Sequence, residues 1–393
     1  MHPPRAGLIS IDPDRKWIGG RYYLHHLVRS VASLPEDERL ALFDVWWQHG
    51  PADDPFAEVR PLLAGRRVLE MPRTFASRLT RKLRRTIHQW QDARDLFHAA
   101  GIDVIFPITP CESPGIPFVF WIPDLQYRVL PHLFSDEMQE WYRQHNERNG
   151  TAADLIAVSS EAGKRDLEEF FPQFAAKTRV LHFCSIPTEE WFAVDPRQAA
   201  EKHGLPAKFF VLSNQFSHHK NHMVAFEALK LLREEHGIRA TIACTGSTFG
   251  FRGDDYLQRV ESFLREHDLA ASIRILGLIS RDEQVALMRR SIGMLQPSTF
   301  EGWSTVVEDA KSLGKRILLS DIAVHREQAP ANGTFLPLDD AAAWAAAMAA
   351  VWTSRDPGPH ASEEEAGAAY IAGAKVETGR AFVRILREAV DGR

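Results

Sequence analysis

The sequence predicts an α/β protein made of two doubly wound, Rossmann-like domains. In both halves of the chain, apolar segments of strand length alternate with segments of helical periodicity, as in parallel βαβ units. A pair of glycines follows the first predicted strand and precedes a helix, which is how a doubly wound sheet opens. The 393 residues are enough for two or three domains, and 45% of them are hydrophobic, which provides for sizeable cores.

Charge and cysteine content argue against several classes of protein. The net charge of -5 lacks the basic surplus that general nucleic-acid binding requires. The three cysteines, Cys111, Cys184 and Cys244, lie far apart without metal-type spacing, which is typical of a reducing cytoplasm. The sequence shows neither a signal peptide nor an apolar stretch near the roughly 20 residues that span a bilayer. We therefore expect a cytoplasmic protein, or one resting on the inner face of a membrane.

The predicted strands of the N-terminal half are residues 6–11, 40–46, 103–107, 117–122, 155–158 and 179–182. Gly19 and Gly20 form a loop, and a helix begins near Arg21; the alternative for the glycine pair is a plain turn. Ser160 is the expected N-cap of the helix after the fifth strand. Asp124 follows the fourth strand, at the sheet edge where α/β proteins bind ligands. Its alternative role is that of a turn or capping residue.

Residues 73–94 form a strongly basic segment with an apolar stripe at helical spacing. A basic amphipathic helix of this kind can lie on an anionic membrane surface. It can equally pack against a core and leave its basic face in water, and we slightly favour this second interpretation.

The predicted strands of the C-terminal half are residues 209–212, 240–245, 272–276, 292–295 and 316–319. A linker at residues 184–187 separates this half from the first. An alanine-rich helix is expected at residues 341–351, and a last helix at about residues 362–390.

The most informative stretch is residues 296–321, which reads as strand end, tight loop, helix, turn and strand. Ser304 or Thr305 can cap the helix, and Gly314 ends it where a left-handed residue is favoured. Backbone N–H groups at a helix start bind phosphate oxygens, helped by the positive end of the helix dipole. Gly302 would let a ligand approach this backbone closely, and Trp303 lies beside it.

Three carboxylates flank this anion-binding helix start. Glu301 precedes the helix, and Glu308 and Asp309 lie within it. The arrangement suits a ligand with phosphate in its middle and hydroxyls at both ends, such as a nucleotide-sugar, because a carboxylate accepts hydrogen bonds from a sugar diol. The alternative is an ordinary βα unit with a solvated acidic helix.

The string FEGWSTVVEDAKSLGKRILLSD, residues 300–321, resembles the E-x7-E motif of the retaining glycosyltransferases of family 4, which have the GT-B fold. In that family the first Glu lies beside the donor sugar and the second grips the ribose. The resemblance gives the first role to Glu301. The second position is Asp309, with Glu308 one residue earlier. Gly314 aligns with the family's glycine only in the Asp309 register, so Asp309 is favoured and Glu308 is the alternative.

Other segments extend the resemblance in the C-terminal half. Lys220, just before a predicted helix, matches the family's lysine at the donor diphosphate, whereas Gln215 stands where an arginine is usual. Gly246 and Leu278, after two predicted strands, lie where family members hold the nucleotide base with backbone groups.

In the N-terminal half the resemblance is sparser. The glycine pair Gly19 and Gly20 matches one that lies near the donor phosphates and the acceptor in the family. The segment IPDLQYRVLPHLFS resembles a "HDLQ…P..FS" segment, with Pro123 in place of the usual histidine. Asp124 would then contact the acceptor or the donor sugar.

We predict no required metal. Asp12-Pro13-Asp14 formally matches the D-x-D motif by which other glycosyltransferases hold a metal, but a proline between two aspartates favours a turn. His218, His219 and His222 lack a fourth convergent ligand in the sequence.

The resemblance implies two Rossmann-like domains facing across a cleft. Residues 1–187 would bind the acceptor and residues 188–365 the nucleotide-sugar donor, while residues 366–393 would form a helix crossing back to the first domain. The expected reaction transfers a hexose from a nucleoside-diphosphate sugar to a glycan or lipid-linked hydroxyl with retention, in bacterial cell-surface polysaccharide synthesis. The alternatives are a nucleotide-sugar epimerase of the same fold and a non-catalytic sugar-nucleotide-binding protein.

Overall fold

The structure, a computed structural model, describes residues 3–10, 18–47, 54–69, 89–108, 114–248 and 255–392. The chain divides into two compact units, one of Met1–Phe183 with Gly373–Arg393 and one of Cys184–Ala372. The first boundary lies four residues before the predicted one. The second lies inside the last helix, because that helix runs unbroken from Ala361 to Asp391. The assignment of acceptor and donor to the two units stays a prediction.

The first unit contains two sections of parallel sheet. Its strands are β1 (Arg5–Leu8), β2 (Ala41–Trp47), β3 (Gly65–Leu69), β4 (Val104–Phe106), β5 (Val119–Ile122), β6 (Leu155–Val158) and β7 (Thr178–Val180). They are ordered β3-β2-β1-β4 and β5-β6-β7. A parallel bridge between Ile105 and Phe118 joins the two sections, so the strand order is doubly wound as predicted. Strand β3 was not predicted.

Helices cover this sheet and bury an aromatic-rich core that includes Phe97, Phe118 and Phe120. They are α1 (Ile18–Ala32), α2 (Gln89–Ala99), α3 (Gln126–Val129), α4 (Asp136–Ala152) and α5 (Glu161–Phe170). Ser160 caps α5 as predicted, because its Oγ accepts a hydrogen bond from the backbone N–H of Gly163 at 2.9 Å.

The second unit contains a six-stranded parallel sheet. Its strands are β8 (Phe210–Ser213), β9 (Ile242–Thr245), β10 (Ile273–Gly277), β11 (Gly293–Gln296), β12 (Ile317–Ser320) and β13 (Gly333–Leu336). Their order is β10-β9-β8-β11-β12-β13, with all five neighbouring pairs parallel. The order reverses between β8 and β11, and the crevice at such a switch point is where doubly wound sheets bind ligands. Strand β13 was not predicted.

The helices of the second unit pack on both faces of this sheet. Side chains of the strands belong to two separate apolar clusters, each of which also contains helix residues. They are α6 (Glu190–Ala193), α7 (Pro196–Lys202), α8 (His222–His236), α9 (Tyr256–Glu266), α10 (Arg281–Arg290), α11 (Thr305–Ser312), α12 (Ala323–Gln328), α13 (Ala341–Ser354) and the first part of α14 (Ala361–Asp391). Gly314 follows α11 with a φ of 60°, the left-handed conformation that the sequence predicted.

Some predictions fall outside the described residues. These are the Asp12-Pro13-Asp14 motif, Cys111 and most of the basic segment 73–94. Within the described parts of the chain, none of the helices combines the length and the apolar character that crossing a bilayer requires.

Candidate active site

The residues around the β8–β11 switch point form a connected polar cluster. Asn214 follows β8 and Gln296 ends β11, and the Asn214 Nδ2 donates to Gln296 Oε1 at 2.7 Å. The Gln296 Nε2 in turn donates to Glu301 Oε1 at 2.8 Å and to Ser304 Oγ at 3.0 Å. Gln296 is fully buried, so this amide fixes the loop before α11 to the end of the central strand.

Lys220 and Glu301 form an ion pair at this point. The Lys220 Nζ lies 2.6 Å from Glu301 Oε1, and the two side chains are 18% and 9% exposed. The backbone N–H of Thr299 donates to the carbonyl of His219 at 2.8 Å, which joins the loop that carries Lys220 to the loop that carries Glu301. A cation and a carboxylate that remain partly accessible can exchange part of their mutual contact for a ligand's phosphate and hydroxyls.

The start of α11 has the first of the two predicted caps. Ser304, rather than Thr305, is the N-cap, and its Oγ accepts from the Val307 N–H at 3.4 Å. The backbone N–H of Ser304 donates to Gln328 Oε1 at 3.3 Å. A side chain of the same unit thus already uses this amide, and its predicted contact with a phosphate stays a prediction. Gly302, Trp303 and Thr305 are half-buried, and their donor contacts stay predictions.

Glu308 is a buried structural carboxylate. It is fully buried, and it accepts from Lys311 Nζ and Gln328 Nε2, each at 3.0 Å, and from the Tyr370 hydroxyl at 2.7 Å. Three donors within the unit occupy its two oxygens. The geometry therefore disfavours Glu308 as the residue that grips a ribose.

Asp309 has a different environment. It is 1% exposed, and its Oδ1 accepts from Arg281 Nη2. Its Oδ2 is buried and has no hydrogen-bond partner among the described residues. One oxygen of Asp309 is thus able to accept a ligand hydroxyl, which favours the Asp309 register.

His325 lies against the same cluster. It is fully buried, and its Nδ1 lies 2.8 Å from the carbonyl oxygen of Ser320, at the end of β12. Burial lowers the pKa of His325, and the nearby charge of Glu301 opposes that shift. We expect the ring to be neutral and to buttress the cluster rather than to bind the donor.

Three predicted donor residues lie on loops after neighbouring strands. Gly246 follows β9 with a φ of 132°, and a side chain there would overlap the carbonyl oxygen of Asn214, so only glycine fits. Gln215 is half-buried on the loop after β8. Leu278, after β10, is 63% exposed, unlike most leucines of the unit. Their contacts with a nucleotide stay predictions.

The predicted residues of the first unit have local roles. Gly19 and Gly20 lie in the first turn of α1, so the prediction of a loop there is corrected. The sequence missed this because the pair precedes the apolar periodicity on which the helix start was placed. Asp124 is exposed, and its Oδ1 accepts from the backbone N–H of Gln126 at 2.9 Å, which is the turn role named as its alternative. Any contact of these residues with donor or acceptor stays a prediction.

Sequence reasoning missed Gln296, Gln328 and Arg281. A single amide or guanidinium has no motif of its own, and the partners of Arg281 and Gln296 lie up to 82 residues away in the chain. Their role is visible only once the strand order brings the loops together.

No cluster of three or more histidine, cysteine or acidic side chains placed to hold a metal ion occurs in the part of the chain that the structure describes. The predicted independence from metal stays a prediction.

Residues 196–366 match the family "Glycosyl transferases group 1". The match lies within the second unit, covers less than half of the chain, and includes Lys220, Glu301 and Asp309. It supports assignment of this unit to the glycosyltransferase group 1. The curated proteins contain no significant match to the chain.

Solved structures show the fold of the whole chain. Anabaena HepE in complex with UDP and glucose aligns with a TM-score of 0.60 and 14% identity, over 99% of each chain. A glycosyltransferase from Rickettsia africae aligns with a TM-score of 0.62 and 13% identity, over 100% of this chain and 99% of that one. A sucrose-phosphate synthase from Thermosynechococcus elongatus gives 0.60 and 17%, over 99% and 97%. The protein therefore has the GT-B fold, with two Rossmann-like domains.

Proposed function

We propose, on the premise that the second unit is a glycosyltransferase group 1 domain, that the protein transfers a hexose from a nucleoside-diphosphate sugar to an acceptor hydroxyl. The observation that carries the proposal is the Lys220–Glu301 pair at the switch point, together with a buried carboxylate, Asp309, whose Oδ2 has no hydrogen-bond partner in the described part of the chain. These groups supply a cation for a diphosphate, a carboxylate for the sugar and a carboxylate for a ribose.

In the proposed reaction, the bond between the anomeric carbon and the diphosphate oxygen breaks, and a bond from that carbon to the acceptor oxygen forms. Negative charge accumulates on the departing diphosphate, and the Lys220 ammonium would stabilise it. Glu301 would orient the sugar hydroxyls and offset positive charge at the anomeric carbon. The acceptor's proton leaves with the departing diphosphate or passes to solvent.

Retention of the anomeric configuration, a glycan or lipid-linked acceptor, independence from metal and a role in bacterial cell-surface polysaccharide synthesis are parts of the same proposal. Independence from metal rests on the absence of a suitable ligand pattern in the sequence, and the other parts rest on the resemblance of residues 300–321 to family 4. In that family, attack by the acceptor on the same face as the leaving group is favoured, so we assign no carboxylate nucleophile.

A UDP-sugar is the first donor to test, because the similar Anabaena HepE structures contain UDP or UDP-glucose. GDP-mannose is the second. The experiment incubates purified protein with each donor, with and without a mixture of glycan acceptors and with and without EDTA, and resolves the products by mass spectrometry.

Three outcomes of this experiment discriminate the candidates. Acceptor-dependent release of nucleoside diphosphate supports the proposal. An epimerised sugar without acceptor indicates a nucleotide-sugar epimerase. Donor binding without turnover above background indicates a non-catalytic binding protein. Either of the last two results contradicts the proposed transfer.

A further inference from the structure

Among the described residues, Arg281 at the start of α10 holds the carboxylate of Asp309. The side chain of Asp309 is buried, with 1% exposure, and that of Arg281 is half-buried, with 13% exposure. The Nη2 of Arg281 donates to the Oδ1 of Asp309, and the buried Oδ2 has no hydrogen-bond partner among the described residues. A buried carboxylate oxygen without a donor is costly, so a structure that keeps one is organised to receive a donor there.

Contacts with Gln284 and Trp191 help to fix the guanidinium of Arg281 itself. Besides Asp309, its Nη1 donates to Gln284 Oε1 at 2.6 Å, one turn further along α10. Its central carbon lies 4.4 Å from the ring centroid of Trp191, a buried residue of α6. A planar guanidinium that is stacked on a ring and bonded at two nitrogens has little rotational freedom, and lysine could not reproduce this geometry.

The network continues from Gln284 to the ends of two strands. The Gln284 Nε2 donates to Ser213 Oγ at 2.5 Å and to Thr245 Oγ1 at 3.2 Å, and these two hydroxyls lie 2.6 Å apart. Ser213 ends β8 and Thr245 ends β9, directly before the loops that carry Gln215 and Gly246. Arg281 thereby ties the carboxylate on α11 to the sheet edge at which the ligand is expected.

We propose that Arg281 is a positioning residue for nucleotide recognition. It holds Oδ1 of Asp309 so that Oδ2 faces a ribose hydroxyl of the donor. The inference rests on the proposed function, since it assumes a nucleotide at this site. It also explains why an aspartate serves where the resembled motif has a glutamate: the shorter side chain has fewer rotatable bonds, and Arg281 fixes the remaining ones.

The test compares nucleotides with and without ribose hydroxyls. We expect Arg281→Gln to weaken the binding of UDP or GDP, whichever the wild type binds, by about tenfold or more in titration calorimetry. The affinity for the corresponding 2′,3′-dideoxy nucleotide should differ by less than about twofold between variant and wild type, because that ligand cannot use Oδ2. Equal losses for both nucleotides, or no loss for either, would overturn the proposal.

Arg289→Gln is the matched control on the same helix. Arg289 is 9% exposed, its Nε donates to Glu364 Oε1 at 2.7 Å, and it lies over the Phe192 ring at 4.8 Å. Its loss should lower the melting temperature as much as the loss of Arg281, yet leave the affinity for UDP or GDP within about twofold of the wild type. A tenfold loss of affinity in this control would show that disruption of α10 alone explains the effect.

If Arg281→Gln does not fold, Arg281→Lys provides the same comparison, because it retains the charge and loses the stacked fork. The same selective loss on the hydroxylated nucleotide is expected, and its absence overturns the proposal. A wild type that binds neither UDP nor GDP would contradict the proposed function as well. A wild type that binds one of them, with an Arg281→Gln variant that binds it equally well, would contradict the role of Arg281 alone.

Discussion

The two units have the same doubly wound architecture but differ in what lies at the carboxyl ends of their strands. In the second unit, the switch point between β8 and β11 is lined by the Asn214–Gln296 bond and the Lys220–Glu301 pair. In the first unit, the switch point lies between β1 and β4, and Asp124 is an exposed turn residue elsewhere on that sheet. A shared fold therefore does not make two equal sites, since the function depends on the polar groups that lie at a particular sheet edge.

The largest effect is expected at Lys220. We predict that Lys220→Ala lowers kcat for transfer by about a hundredfold or more, because the departing diphosphate loses its cation at the moment when charge develops. Steady-state kinetics with a UDP-sugar or GDP-mannose measures this. Lys230→Ala is the control, since Lys230 forms a surface ion pair with Glu234 on α8 and its loss should leave kcat unchanged.

A Lys220→Ala variant with wild-type kcat would show that this switch point does not perform the chemistry. A site that depends on the first unit would then become the better candidate.

The adjacent carboxylates Glu308 and Asp309 should respond in opposite ways. We predict that Glu308→Gln lowers the free energy of unfolding by about 3 kcal/mol, because it breaks a buried ion pair with Lys311, and that it leaves nucleotide affinity unchanged. Asp309→Ala should weaken nucleotide binding by about tenfold or more. Urea unfolding and calorimetry on both variants check this. A Glu308→Gln variant that folds normally but loses nucleotide binding would assign the ribose contact to Glu308 instead of Asp309.

Gly246 and Gly373 offer a matched pair of glycine substitutions. We predict that Gly246→Ala destabilises the protein by about 2 kcal/mol, because its φ of 132° disfavours any side chain and a Cβ would overlap the Asn214 carbonyl oxygen. Gly373 lies within α14 with nothing within 4 Å of an added Cβ, so Gly373→Ala should stabilise by about 0.5–1 kcal/mol. Thermal unfolding of both variants measures the difference. Equal effects of the two would mean that the loop after β9 is not closely packed against Asn214.

The free energy of unfolding should also depend on pH through His222. This residue is fully buried at the start of α8, and burial lowers its pKa to about 3. The unfolded chain takes up that proton near pH 6.5, so the free energy of unfolding falls as the pH drops from about 6.5 towards 3. The ring of His222 stacks on that of Phe216 with 4.3 Å between their centroids, so a phenylalanine in its place can occupy the same site without titrating.

The free energy of unfolding of the His222→Phe variant should change less steeply with pH over this range than that of the wild type. The two slopes should differ by up to about 1.4 kcal/mol per pH unit. Urea unfolding at pH 4 and pH 6.5 measures both slopes. Identical slopes would mean that His222 is protonated in the folded state.

The sequence predicted the strands that read as apolar runs, such as β6 and β11, because burial on both faces leaves a continuous hydrophobic signal. It missed β3, GRRVL, because two arginines interrupt that signal. In the structure, the Nε of Arg66 donates to the Oδ2 of the buried Asp44 at 3.0 Å, and the Cζ of Arg67 lies 4.2 Å from the centroid of the Phe43 ring. Both charges therefore have partners on the neighbouring strand. A sequence pattern does not contain such partners.

The candidate site was predictable where its residues are part of a contiguous motif. Glu301, Asp309 and the cap at Ser304 all lie within one stretch, and their spacing along a strand–loop–helix unit already indicates a ligand. That the N–H of Ser304 is used by Gln328, and that Glu308 is closed off by Tyr370, depends on contacts from residues 24 and 62 positions away. Such contacts arise from the packing of the unit and have no local signal.

A crystal structure of the protein with UDP or GDP bound would show most directly whether a nucleotide lies at the β8–β11 switch point. We predict that the diphosphate lies within hydrogen-bond distance of Lys220 Nζ, and that a ribose hydroxyl donates to Asp309 Oδ2 while Arg281 keeps Oδ1. A nucleotide bound away from the β8–β11 switch point, or one whose ribose does not contact Asp309, would contradict this description of the site.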